Sequence, residues 1–235
     1  MRPGYRPLHA AHMTTTTDLA LIALDPTTGK RRLGTYGEIV LGGAALKDLL
    51  LAGRLSVAGE GKKALVSVAD PTPTGIAHLD AALARLTSRT KPLKSRDAVT
   101  RLGRKLPITT YEALVADGLV EAHPTTVLGL FPSPRYVALP QARRDELVAG
   151  VRAVLLGERA PDERLGTLGA LLGAGRQVKL VVPKERRKEA EKRAKTLADG
   201  DWASEAVRAA VKASEDAMMI AVLAATTTAG AGAAS

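Results

Sequence analysis

The stretch GEIVLGGAALKDLLLAGRL, Gly37 to Leu55, decides the fold. Ile39, Leu46, Leu49 and Leu50 recur at helical spacing, with Lys47 and Asp48 on the other side, which predicts a core helix. Gly53 ends it, because a glycine enters the left-handed C-cap conformation without steric cost. The chain then passes into a strand at Arg54-Leu55-Ser56-Val57. Gly42 and Gly43 would each cost ~1 kcal/mol inside a helix. They mark either close backbone packing or the start of the helix proper.

Composition sets the frame. At 235 residues the chain makes one large domain or two small ones. Apolar residues make up 46% but aromatics only 3%, so the core is built from Leu, Val and Ala, which implies many helices in close contact. There is no cysteine, which excludes disulfides and thiolate metal sites and fits a reducing cytoplasm. No run reaches the 18 or so apolar residues of a membrane span; the most apolar piece, Ala217 to Ala225, is too short. The basic N-terminus has no apolar segment behind it and reads as a disordered leader over residues 1–17, with Met13 an alternative start. A soluble protein is expected, cytoplasmic or peripheral on the inner face of the membrane. The net charge of +10 draws polyanions: nucleic acid, anionic membrane or acidic proteins. An Arg- and Ala-biased genome is the competing explanation of that charge.

Thr14 to Asp18 reads as an N-cap region for the apolar segment Leu19 to Leu24, and Asp25 to Gly29 as a turn. Lys30, Arg31 and Arg32 stand just ahead of the organising helix. Behind it, Arg54–Ala58 and Ala64–Val68 predict a hairpin. Ile76, Leu79, Leu83 and Leu86 predict an amphipathic helix, with His78 off its apolar face and expected at the surface. Thr87 to Leu106 is polar and basic, carrying Arg89, Lys91, Lys94, Arg96, Arg101, Arg104 and Lys105, with a helix expected at Asp97–Leu102. Another is expected at Tyr111–Ala116, stopping at Gly118.

An internal echo follows. LKDLLLAGRLSV and YEALVADGLVEA each pass from helix through a Gly stop into a strand with a hairpin beyond. In the second copy the expected hairpin strands are Val127–Phe131 and Arg135–Leu139. Such a unit occurs in winged-helix proteins and wherever a helix packs on a hairpin. No Arg, Asn or Gln cluster marks a recognition helix, so nucleic-acid binding stays the alternative. Val127, Leu128, Leu130 and Phe131 make the second hairpin unusually apolar, suited to self-association with another subunit or to contact with lipid.

The last hundred residues read as helical. Helices are expected at Ala142–Leu156, Asp162–Leu172, Lys184–Leu197 and Asp201–Ala225, with a low-complexity tail over 226–235. In Lys184–Leu197 the Glu189/Arg193 and Glu191/Lys195 spacings suggest i,i+4 ion pairs on a solvated face. No catalytic constellation, phosphate loop, nucleophile elbow or dinucleotide fingerprint is present, so neither an enzyme nor a cofactor or metal is expected.

Taken together, LLLAGRL at Leu49–Leu55, DPTPTGIAHLDAAL at Asp70–Leu83, ALVADGLV at Ala113–Val120 and the Ala/Val-rich final segment resemble the Golgi phosphoprotein 3 family. That family comprises peripheral membrane proteins that bind phosphatidylinositol 4-phosphate, and it includes bacterial relatives; the Ala/Gly/Arg bias here suits a bacterial member. The resemblance implies a mainly α, single globular helical domain over residues 18–225, with short β-hairpins and one projecting apolar hairpin that mediates homo-oligomer contacts. It also implies a headgroup pocket whose Trp falls at Leu33 and whose Arg positions fall at Gly42, Arg104 and Pro107. Arg31, Arg32, Arg101 and Lys105 are the cations expected to join Arg104 in binding anionic phospholipid headgroups.

Overall fold

Leu19 to Leu24 are each at most 1% exposed, so the first helix lies inside the protein on every side. In the computed structural model, which describes residues 13–59, 63–127 and 131–199, this helix is α1 (Thr15–Ile22). Residues 15–17, expected in the leader, form its first turn. A buried helix start needs partners for its free N–H groups. Thr14 and Thr17 form a reciprocal capping box, with Thr17 N–H donating to the Thr14 hydroxyl at 3.2 Å and Thr14 N–H to the Thr17 hydroxyl at 2.9 Å. The Asp48 carboxylate accepts from Thr15 N, Thr16 N and Thr16 Oγ1 at 2.9, 2.9 and 2.7 Å. Burial raises the Asp48 carboxyl above the ordinary range, against the downward pull of those hydrogen bonds.

Helix α2 (Gly37–Leu51) follows a short 3-10 turn at Gly34–Tyr36. Its end is the expected one. Gly53 has φ +68°, Gly53 N–H donates to Leu50 O and Arg54 N–H to Leu49 O, a Schellman motif. Helices α3 (Ala77–Thr87), α4 (Ser95–Gly103) and α5 (Leu106–Ala116) come next. The end of α5 repeats the motif, with Gly118 N–H on Val115 O and Leu119 N–H on Leu114 O. The sequence echo is thus a repeated helix ending.

Strands β1 (Leu55–Ala58), β2 (Leu65–Val68) and β3 (Leu93–Lys94) form an antiparallel sheet in that order. The second hairpin differs from expectation. Strand β4 (Val120–His123) pairs with β7 (Arg135–Ala138), so Arg135–Leu139 is not the partner of Val127–Phe131. The outer pair is instead β5 (Thr126–Val127) with β6 (Phe131–Pro132). Leu139 N–H on Leu119 O extends the inner ladder to the end of the α5 turn, which commits β7 to β4.

Helices α6 (Gln141–Leu155), α7 (Glu163–Ala174) and α8 (Arg187–Leu197) complete the described part of a mainly α domain. On α8 the expected Glu189/Arg193 pair does not form. Arg193 Nε donates to Val154 O at 2.7 Å, capping the end of α6, and Glu189 pairs with Arg186 at 2.9 Å. The expected helix at Asp201–Ala225 lies outside the described residues. Among the described residues no helix is long and apolar enough to cross a membrane.

One crossing sets the geometry of the rest. A Cβ on Gly42 would lie 2.2 Å from Val99 O, and one on Gly103 would lie 1.9 Å from Glu38 O. Helices α2 and α4 therefore touch backbone to backbone, which selects close packing as the reason for Gly42. Because the obstructing atoms are carbonyls, no rotamer change relieves the clash. Gly103→Ala is expected to lower stability by at least about 3 kcal/mol, at the upper end of overpacking costs. Gly53→Ala, where nothing lies within 4 Å, should lose only the ~1–2 kcal/mol of a left-handed residue. Urea midpoints of the two variants measure the contrast; equal losses would mean the crossing is looser than described.

Candidate functional site

The loop carrying Arg31 and Arg32 is held by its own carboxylate and by β7. Asp25 accepts the N–H groups of Thr27 and Thr28 at 3.1 and 2.8 Å. The Thr28 backbone bond, first among several causes, holds the Asp25 carboxyl below its usual range. The stability this turn contributes is present above the ordinary carboxylate pKa and lost as pH falls through the lower one. Gly29 lies against the Tyr136 backbone, 3.0 Å from where a Cβ would sit, and accepts Tyr136 N–H at 2.9 Å. Leu24 bridges to Arg31, and Arg32 N–H donates to Ala23 O. Arg144, buried on α6, braces the same turn by donating Nε to Leu24 O at 2.8 Å.

The Arg31 guanidinium lies 5.8 Å from the ring centroid of Tyr111 on α5, and Tyr111 stacks on Tyr136 at 4.7 Å. Tyr111 is buried, its hydroxyl donates to Ala20 O at 2.7 Å, and burial pushes the phenol well above its usual pKa. Arg32 faces Asp25 at 3.8 Å.

The other cations sit where α4 turns into α5. Lys105 adopts φ +56°, and its N–H donates to Glu38 Oε1 at 2.8 Å. Arg85 on α3 belongs to the same group. Desolvation lowers its pKa, opposed by Glu38 and reinforced by the positive charge of Arg104. Residues 31–38 thus touch α5 twice, Arg31 at Tyr111 and Glu38 at Lys105. Six residues at 1.5 Å rise separate those points, roughly 9 Å along the helix. Arg31, Arg104 and Lys105 are exposed, Arg101 is half-buried, and none of these four enters an ion pair among the described residues.

Other expected positions are placed differently. Leu33 is 5% exposed in the core and Gly42 is wedged against α4, so neither the Trp nor the Arg that the resemblance assigns there finds room at a surface. Pro107 stands in the first turn of α5 and offers no cation. His78, expected at the surface, is 1% exposed with Nε2 3.3 Å from Thr14 Oγ1. It heads a stripe of His78, Ala82 and Leu86 beside Leu79 and Leu83. The small Ala82 hides that stripe from a count of large apolar residues. Glu38 and Arg85 were missed because nothing in a linear pattern brings residues 38, 85 and 105 together. The backbone of Val127 and Phe131 pairs in β5 and β6, while Leu128 and Leu130 of the expected oligomerisation hairpin lie outside the described residues.

The larger described cleft, about 360 Å3, lies between α6 and α7 and is lined in part by Arg143, Glu146, Arg159, Asp162 and Arg164. Its charges are matched in part, while Arg143 and Glu146 enter no ion pair among the described residues. Arg159 pairs with Asp162 at 3.2 Å, and Arg164 grips the buried Asp18 through two bonds of 2.5 and 2.6 Å. Exposed cations without an ion pair among the described residues stand at the α4–α5 turn and in the loop before α2.

The fold is a mainly α domain with a buried first helix, a short antiparallel sheet and exposed arginines at the α4–α5 turn and before α2. Residues 16–214 match the family model of Golgi phosphoprotein 3 (GPP34), and the chain belongs to that family. Among curated proteins no match is found.

Tyr111→Phe separates the two roles of that ring. It should cost about 1–2 kcal/mol in thermal or urea denaturation, since buried Ala20 O is left without its donor. The ring under Arg31 remains, so limited proteolysis of the 25–36 loop should be unchanged; a variant whose loop became cleavable without losing stability would contradict this division.

Proposed function

We propose that this chain is a non-enzymatic docking module that binds anionic phospholipid headgroups at a membrane surface through Arg31, Arg32, Arg101, Arg104 and Lys105. The observation that carries the reading is the double contact of residues 31–38 with α5, which brings two clusters of exposed cations to either side of one short helical stretch. Phosphate accepts hydrogen bonds from any well-placed guanidinium or ammonium group, so this arrangement suits headgroup oxygens. Family membership supports the same direction.

The pocket positions at Leu33, Gly42 and Pro107 offer neither an aromatic wedge nor further cations, which favours attraction by charge over selection of one headgroup. Phosphatidylinositol 4-phosphate would then be bound as one anionic lipid among others.

Sedimentation with phosphatidylcholine vesicles carrying phosphatidylglycerol or phosphatidylinositol 4-phosphate tests this. Wild type should pellet with both at low salt, comparably at matched charge, and not with phosphatidylcholine alone. Substituting Arg31, Arg32 and Arg104 by Ser should weaken binding on the order of 100-fold, at about 1 kcal/mol per cation near the surface. Absence of binding to either anionic vesicle at low salt would sink the reading. A gel shift on duplex DNA with a steep inverse salt dependence would then favour the nucleic-acid alternative.

A further inference from the structure

The register of the three-stranded sheet puts a second set of exposed residues on one face. Ala58 pairs with Leu65, and Leu65 pairs with Lys94, so a row of directly opposed residues crosses β1, β2 and β3. Residues directly opposite in an antiparallel ladder project from the same side. All three of these are exposed, Leu65 by 39%, whereas Val66 is buried and its partner Leu93 half-buried on the other side. Lys63, two residues before Leu65, is exposed, and so are Arg89 and Lys91 in the loop that leads into β3. That loop folds over β2, enclosing a cleft of about 60 Å3 with Val66, Ser67 and Val68. None of Lys63, Arg89, Lys91 and Lys94 enters an ion pair among the described residues; the nearby Arg96 meets Asp97 at 3.3 Å.

We infer that this edge of the sheet, with Ala58, Lys63, Leu65 and Lys94 toward its outer face and Arg89 and Lys91 in the loop that covers its other face beside Val66 and Val68, is a second membrane contact that acts together with the headgroup-binding residues. The inference rests on the headgroup reading above and adds to it a separate patch. Lys94 is the residue that precedes α4, and Arg101 and Arg104 stand at the other end of that helix. Nine residues at 1.5 Å rise put the two patches about 13 Å apart, and Arg96 and Thr100 are exposed between them.

Exposed aliphatic side chains decide for a bilayer over a polynucleotide. Leu65 stands directly opposite Lys94 on the outer face of the sheet, and Ile108, 50% exposed, stands one turn beyond Lys105. A phosphate backbone gains nothing from a bare leucine or isoleucine. The boundary between headgroups and acyl chains takes both the apolar side chain and the cation beside it.

Sedimentation of the full chain with phosphatidylcholine vesicles carrying phosphatidylglycerol tests the inference. Arg89→Ser, Lys91→Ser and Lys94→Ser together should weaken binding on the order of 100-fold at low salt, from the per-cation contribution near a charged surface. That deficit should fade in high salt, where the screening length drops to about 3 Å. Leu65→Ser should weaken binding several-fold, with a deficit that persists in high salt. All four sites are exposed, and unchanged circular dichroism would verify folding.

The inference is overturned if wild type binds and the Arg31/Arg32/Arg104 variant loses binding while the sheet variants bind as wild type does. It is also overturned if the triple sheet variant loses duplex DNA in a gel shift and keeps the vesicles. Failure of wild type to bind any anionic vesicle would overturn the headgroup reading together with it.

Discussion

The backbone contact between α2 and α4 is the constraint on which the rest depends. With Gly42 facing Val99 O and Gly103 facing Glu38 O, the two helices approach as closely as peptide groups allow. That approach places the first turn of α2 beside the end of α4. Glu38 can then reach the Lys105 N–H, and the unusual φ of Lys105 turns the chain into α5 at that point. The position of Arg104 and Lys105 relative to the loop before α2 follows from two glycines that carry no chemistry.

A second constraint is the burial of α1. A helix covered on all sides cannot leave its first N–H groups to water, and here they are met by the Thr14 and Thr17 hydroxyls and by Asp48 from α2. Asp18 is likewise buried and is matched by both arms of the Arg164 guanidinium from α7. These bonds tie α1 to α2 and α7 through groups that would be costly to strand. The same economy explains why several arginines serve no external partner. Arg144, Arg152 and Arg193 each donate to a backbone carbonyl at the end of a helix or turn. The net charge of +10 therefore overstates what is free to meet a ligand.

Some of the exposed cations that enter no ion pair among the described residues lie along one route. It runs from Arg31 over Tyr111, past Glu38 to Lys105 and Arg104, and along α4 to Lys94 and the outer face of the sheet. Each step is a covalent neighbour or a contact described above. In the cleft between α6 and α7 part of the charge is paired, Arg159 with Asp162 and Arg164 with the buried Asp18.

Local chemistry was legible from the residues alone. The Gly53 and Gly118 stops, the Asp25 turn, the β1–β2 hairpin and most helices rest on interactions within a few residues, where side-chain period and backbone freedom suffice. Family resemblance was legible for the same reason, since it lay in short segments such as LLLAGRL and DPTPTG. Only the tertiary structure could pair β7 with β4, bury His78 behind the small Ala82, and bring Glu38 to Lys105. It alone shows that Leu33 is buried in the core and that Gly42 is wedged against α4. Those outcomes depend on which helix lies against which, and packing partners far apart in the chain leave no periodic trace in it.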